Sequence, residues 1–223
     1  MGNISLRVTS TDREFNAKVR FALSKKMTKK LESRITVITR RVRIALRTAI
    51  LNNETVQDLV SGQLKVDFGL TDQRSREAVS EIVVAIGDAV SAEFFPGGAS
   101  GDRAGGNYKI GTIRILINGN QASGIVLGKV NGSYDSNGSK IDWLRWLMTA
   151  GSQVVVAGYE VASTVDYDGR SRSGGGFMIK TGGDFRVDPK HAGTAGDNFI
   201  TRAISSIGPE IGRIIKEEMK GAF

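Results

Sequence analysis

His191 is the only histidine among the 223 residues, in a Pro189-Lys190-His191-Ala192-Gly193 turn just after Asp188. An imidazole next to a carboxylate has the parts of a charge-tuned general base. A turn of this composition reads instead as a surface loop, and no substrate suggests itself. One histidine and no cysteine exclude a histidine-rich zinc site, thiolate chemistry and a disulfide scaffold. Asp166-Tyr167-Asp168-Gly169 starts like a calcium loop but lacks the later ligands and the terminal Glu. Gly174-Gly175-Gly176, followed by Lys180-Thr181, lacks the Gly-Lys-Ser/Thr junction of a phosphate loop. Asp135 and Asp142, near Trp143, could pair as acid and base, but turn and capping chemistry accounts for both. Trp143 and Trp146, three apart on a short helix, read as core rather than as a ligand cage. No catalytic residue, metal or cofactor is expected.

Charge is the stronger signal. Up to Ile50 the chain carries thirteen Lys and Arg against three carboxylates, a net of +10, whereas the whole chain is +8. The basic character therefore belongs to one segment. Clustered cations suit two kinds of partner: phosphates, whose counterions they displace, or an acidic protein surface. Only Phe15 and Phe21 lie among these cations, too few for a base-stacking series, which favours the protein.

The elements that position these charges follow from periodicity. Phe15, Val19, Leu23, Met27, Leu31, Ile35, Ile38, Val42, Leu46 and Ile50 recur in steps of three and four, predicting one amphipathic helix over about 12–51. Thr11 or Asp12 would start it and Asn52-Asn53 stop it. The β-branched stretch Thr36–Thr39 needs packing to stay helical. Such a helix outruns a domain of this size, so its far end is expected to touch another molecule. Glu54–Val60 reads as a helical turn closed by Ser61-Gly62, Leu64–Leu70 as a short alternating segment, and Arg74–Phe95 as a helix. A glycine-rich loop follows from Pro96 to Asn107, then a strand from Tyr108 and a return strand over Gly124–Val130. Ile141–Thr149 predicts a short helix and Gln153–Val165 a strand, with weaker strands at Phe177–Lys180 and Phe185–Val187. Asp166–Gly176 is a second loop, with Arg170 and Arg172. A last helix runs from Thr194 or Asp197 to Lys220, bent at Gly208-Pro209.

The expected fold class is thus α+β, one domain over 1–223: a long basic N-terminal helix, a central and mainly antiparallel sheet with a short helix, a C-terminal amphipathic helix, and long glycine-rich loops. No apolar stretch approaches the roughly 20 residues of a membrane span, no signal-peptide core follows Met1, and the absence of cysteine fits assembly in a reducing cytosol.

This order of elements resembles the tail-completion and neck proteins of tailed bacteriophages, the group that includes the minor tail protein Z type. Those proteins have a long N-terminal helix followed by a Thr-Gly-x-Leu or Ser-Gly-x-Leu element, matched here by Ser61-Gly62-Gln63-Leu64. A sheet and an aromatic, glycine-closed segment come next, for which Trp143–Gly151 is the counterpart. A proline turn, here Val187-Asp188-Pro189, leads into the last helix at Phe199 and Ile200. The resemblance covers nearly the whole chain, although the Arg74–Phe95 helix and both glycine loops have no counterpart in it.

It implies a structural protein of the virion, not an enzyme, assembled in the host cytoplasm as a ring of six or twelve copies between head and tail, through which DNA passes. Portal, adaptor or tail proteins would be its neighbours, with transient DNA contact and no membrane. The expected oligomer interface is the helix face of Leu23, Met27, Leu31, Ile35 and Ile38. The expected charged contact is Lys25, Lys26, Lys29 and Lys30. A DNA-binding or packaging-associated protein using the same basic helix is the alternative.

Overall fold

The computed structural model describes residues 12–96, 111–117, 119–129, 133–134, 140–163 and 176–220. The fold is α+β, with the long helix first and an amphipathic helix last. Helix α1 spans Asp12–Leu51, 40 residues and about 60 Å. Its second half is the axis of the core: Ile38, Val42, Leu46 and Ile50 are each fully buried, one turn apart. Each such burial contributes about 1.5–3 kcal/mol, which is what keeps the β-branched stretch around Ile38 helical.

Helix α2 (Glu54–Ser61) follows at once, because Asn53 accepts from Thr55 N at 3.0 Å and caps it. The segment read as alternating is helix α3 (Gln63–Asp67). Leu64 and Phe68, one turn apart, are both buried, and that tertiary demand outweighs the local pattern. The helix stops at Gly69 (φ +60°), whose left-handed backbone lets Leu70 N reach Lys65 O at 2.9 Å and Gly69 N reach Val66 O at 3.0 Å.

Helix α4 (Asp72–Asp88) begins at Thr71, which accepts from Arg74 N, and buries Ala78, Val79, Ile82, Ala85 and Ile86. It is shorter than the sequence pattern suggests. Strand β1 (Val90–Pro96) pairs antiparallel with β2 (Gly111–Ile117), from Val90 opposite Ile117 to Pro96 opposite Gly111. Ala92, Phe94, Ile113 and Ile115 are half-buried and alternate with exposed neighbours, the signature of a strand with one covered face. On the exposed face the Arg114 guanidinium lies 5.0 Å from the centre of the Phe95 ring.

Gly124–Val130, expected to return as a strand, lies instead almost wholly in helix α5 (Gly119–Lys129). Ala122 and Val126, four apart, are fully buried, and the helix packs on α4 and on the first C-terminal helix. A short pair, β3 (Ser133–Tyr134) with β4 (Lys140–Ile141), precedes α6 (Trp143–Thr149). Strands β5 (Val154–Ser163) and β6 (Gly176–Arg186) form one bulged antiparallel ribbon, so the two weak strands expected over 177–187 are a single one. Among the described residues the strands make three separate two-stranded ribbons around a helical core.

The C-terminal helix is broken near the expected place, into α7 (Phe199–Ser206) and α8 (Gly208–Lys220). Asn198 caps α7, accepting from Ile200 N and Thr201 N. Arg34 meets Glu218, Arg41 meets Glu217 and Glu218, and Thr48, Ala49 and Asn52 line one groove with Ile207, so α8 runs antiparallel to α1. The two glycine-rich loops, Thr11, Asn118, Asp135 and the Asp166–Gly169 segment fall outside the described residues.

Candidate functional site

The basic segment divides into two parts with different duties. From Arg34 onward, Arg34, Arg41 and Arg43 serve the fold. Arg41 donates to Glu218 at 2.8 Å and to Glu217 at 2.6 Å, and Arg43 donates to Val90 O at 3.0 and 3.3 Å. Before Leu31, no α1 side chain whose exposure is described is buried. This first part, Asp12 to Lys30, extends about 28 Å beyond the core. Its lysines Lys25, Lys26, Lys29 and Lys30 are all exposed, as a charged contact with a partner requires.

The expected apolar face does not stay together. Leu23 is 55% exposed, Met27 and Ile35 are half-buried, and Leu31 and Ile38 are buried within the chain itself. Ile38 belongs to the core of one molecule and Leu31 is 3% exposed, so neither is available to a neighbour. Periodicity gives a face without saying how far along the helix the core extends. The exposed large apolar residues of this part are Val19 (47%), Phe21 (52%) and Leu23; Val19 and Leu23 belong to the expected apolar period, Leu23 alone to the expected interface, and Phe21 to neither. Val19, Leu23 and Met27 form one line at four-residue spacing.

The second candidate surrounds His191, and here the expectation is corrected: the residue is buried, not on a surface loop. Its Nδ1 lies 3.0 Å from Thr55 Oγ1 and its Nε2 3.4 Å from Asp58 Oδ2. Asp188, the neighbour in sequence, uses its own carbonyl to accept from His191 N and Ala192 N, and its carboxylate to accept from Lys190 N. Asp58 therefore meets the ring, and it also accepts from Leu64 N at 2.8 Å. A Cβ on Gly62 would collide with the Asp58 carboxylate, which explains the glycine of the Ser61-Gly62-Gln63-Leu64 element. Lys190 pairs with Glu54 on α2. Two residues on, Gly193 N donates to Leu147 O and Gly193 O accepts from Gly151 N, both at 2.9 Å. One turn thus ties α2, α3 and α6 together.

Thr55, His191 and Asp58 imitate a nucleophile, base and carboxylate. The hydroxyl end is closed, however: Thr55 and His191 are each 4% exposed, so no substrate reaches them. The constellation is built to hold the turn. No group of three metal-ligating side chains occurs among the described residues, and no described helix is long and apolar enough to cross a membrane.

Nearby, burial pushes the Asp67 carboxyl above its ordinary range against the lowering effect of the Gln63 hydrogen bond, with Asp58 and Asp188 adding to the rise. An acid raised in the fold binds its proton more readily folded than unfolded. Its cost is thus fully present above the folded pKa and disappears as pH falls below the unfolded value near 3.9. Asp67→Asn keeps an oxygen for Gln63 Nε2 and removes that cost. The variant is expected to melt higher than the parent at pH 7, with the difference vanishing toward pH 3. Equal melting temperatures across that range would contradict it.

No family model matches the chain, and no curated protein or solved structure is significantly similar to it.

Proposed function

We propose that this protein is a non-enzymatic structural subunit of a tailed-phage virion, working in the neck or at the head-proximal end of the tail as a ring of six or twelve copies. The observation that carries the reading is the first part of α1, which projects from the core with Val19, Phe21 and Leu23 exposed. A helix of that length with no buried side chain before Leu31 among those described gains its burial from another molecule. The ribbons β1–β2 and β5–β6 add two-stranded elements whose edges carry no further strand among the described residues. The order of elements, from the Ser61-Gly62-Gln63-Leu64 junction to the paired last helices, supports the same reading. The assembly mass of the parent protein tests it.

A second reading rests on the four exposed lysines, which suit phosphates as well as an acidic portal, adaptor or tail subunit. The protein partner is favoured, because a conduit that lets DNA pass is slowed by tight phosphate binding. If the lysines track phosphates, each one lost lowers the slope of log affinity against log salt by about 0.9. The parent is expected to bind duplex DNA only weakly at physiological salt, and the variant with all four changed to Gln to fail in head-to-tail joining. Submicromolar DNA affinity, lost in the variant while joining persists, would establish the DNA-binding reading instead.

A further inference from the structure

Just inside the core, next to the projecting part, α1 passes through a weak stretch. Ile35, Thr36, Val37, Ile38 and Thr39 are five β-branched residues in a row, each losing rotamer freedom against the preceding turn. Ser33 Oγ donates to Lys30 O at 2.7 Å and Thr39 Oγ1 to Ile35 O at 2.8 Å, side-chain bonds of the kind that weaken and bend helices. Of these side chains only Ile38 is buried, while Ser33 and Thr36 are exposed. A second hold comes from α8. One carboxylate oxygen of Glu218 meets Arg34 at 3.4 Å and the other meets Arg41 at 2.8 Å, so a single side chain grips α1 before and after the β-branched run. The arginines are two turns apart, about 10 Å along the axis. The Glu218 side chain is 13% exposed, so salt and solvent screen these contacts less than those of a surface pair.

We propose that Glu218 is a splint across a hinge in α1: it keeps the helix continuous from Arg34 to Arg41 and so fixes the direction in which Asp12 to Lys30 is presented to other molecules. Its role is positioning. The proposal rests on the ring assembly proposed above and supplies what that assembly needs, because closed symmetry repeats one contact angle in every copy. A helix that bent freely at the β-branched run would present its exposed side chains at many angles. Glu217 is the contrast. It meets Arg41 at 2.6 Å and also Arg213, both outside the stretch between Arg34 and Thr39, so it joins α8 to α1 without bridging the hinge.

Amide hydrogen exchange of the full chain in dilute solution, read by mass spectrometry, tests the splint. Glu218→Gln is expected to speed exchange between Leu31 and Thr39 by on the order of tenfold, whereas Glu217→Gln leaves it near the parent rate. Ser33→Ala and Thr36→Ala, both at exposed positions, replace poorer helix formers; added to Glu218→Gln, they are expected to return most of the protection. Circular dichroism verifies that every variant is folded. Unchanged exchange in Glu218→Gln, an equal rise in Glu217→Gln, or alanines that restore nothing would each overturn the splint. Assembly is read separately, by native mass. Glu218→Gln is expected to need a higher concentration than the parent to assemble, and parent-like assembly of a variant with loosened exchange would overturn the positioning role. A parent ring with unchanged Glu218→Gln exchange removes the splint and leaves the ring. A parent that stays a single chain, with the exchange difference present, removes the ring and leaves the splint.

Discussion

Trp143→Ala is expected to cost about 3–5 kcal/mol, the largest loss available from a single truncation in this fold. The indole is fully buried, its ring centre lies 5.5 Å from that of Phe68, and Phe68 in turn meets Phe185 edge-on at 6.4 Å. Those three rings join α6 to the end of α3 and to β6, so the cavity opens where three elements converge. Domains of this kind are stable by roughly 5–15 kcal/mol, so the variant stands near the edge of folding at 37 °C. Urea unfolding followed by circular dichroism gives the number. Trp146→Ala, at a half-buried position on the same helix, is expected to cost clearly less. Equal costs at the two tryptophans would contradict the placement of the core.

His191→Ala is expected to cost about 2–3 kcal/mol, because it strips the Thr55 hydroxyl and the Asp58 carboxylate of a buried partner at once. For a chain of this length that corresponds to roughly 4–12 °C in melting temperature. His191→Gln, which retains a polar group in the cavity, should recover part of the loss. The pair of variants also separates a structural from a catalytic histidine. A structural one lowers the melting temperature in proportion to the lost hydrogen bonds. A catalytic one would abolish a turnover while leaving melting nearly unchanged, and that second pattern would refute the reading of the turn as a clasp.

Much of this architecture was legible in the sequence wherever a period persisted over several turns. The long helix ends at Leu51, next to the Asn52-Asn53 stop, and α6 and the Gly208-Pro209 break appear near where residue type puts them. Short apolar runs failed because three or four side chains fit either period. Leu64–Leu70 and Gly124–Val130 became helical since Leu64 with Phe68, and Ala122 with Val126, bury at a spacing of four. Val90–Phe95 falls inside the expected helix, and Pro96 at the head of the expected loop, because nothing local announces the pairing of this stretch with Gly111–Ile117.

At the candidate site the sequence located the basic helix but could not divide it. Arg41 and Arg43 find acceptors on α8 and at the start of β1, contacts separated by many residues, whereas Lys25, Lys26, Lys29 and Lys30 do not lie over the core at all. One sequence signal could have helped: Glu210, Glu217 and Glu218 fall on one amphipathic helix and count as partners for nearby arginines. The burial of His191 had no such signal, since Asp58 and Thr55 lie more than a hundred residues away.

The most direct measurement of the assembly account is native mass spectrometry of the parent beside the Val19→Asp, Leu23→Asp double variant. Both positions are exposed, so the variant keeps its core. The account predicts a discrete parent species of six or twelve copies and a variant at the single-chain mass of 23.9 kDa. A parent found only at 23.9 kDa, or a variant that assembles as the parent does, would contradict it.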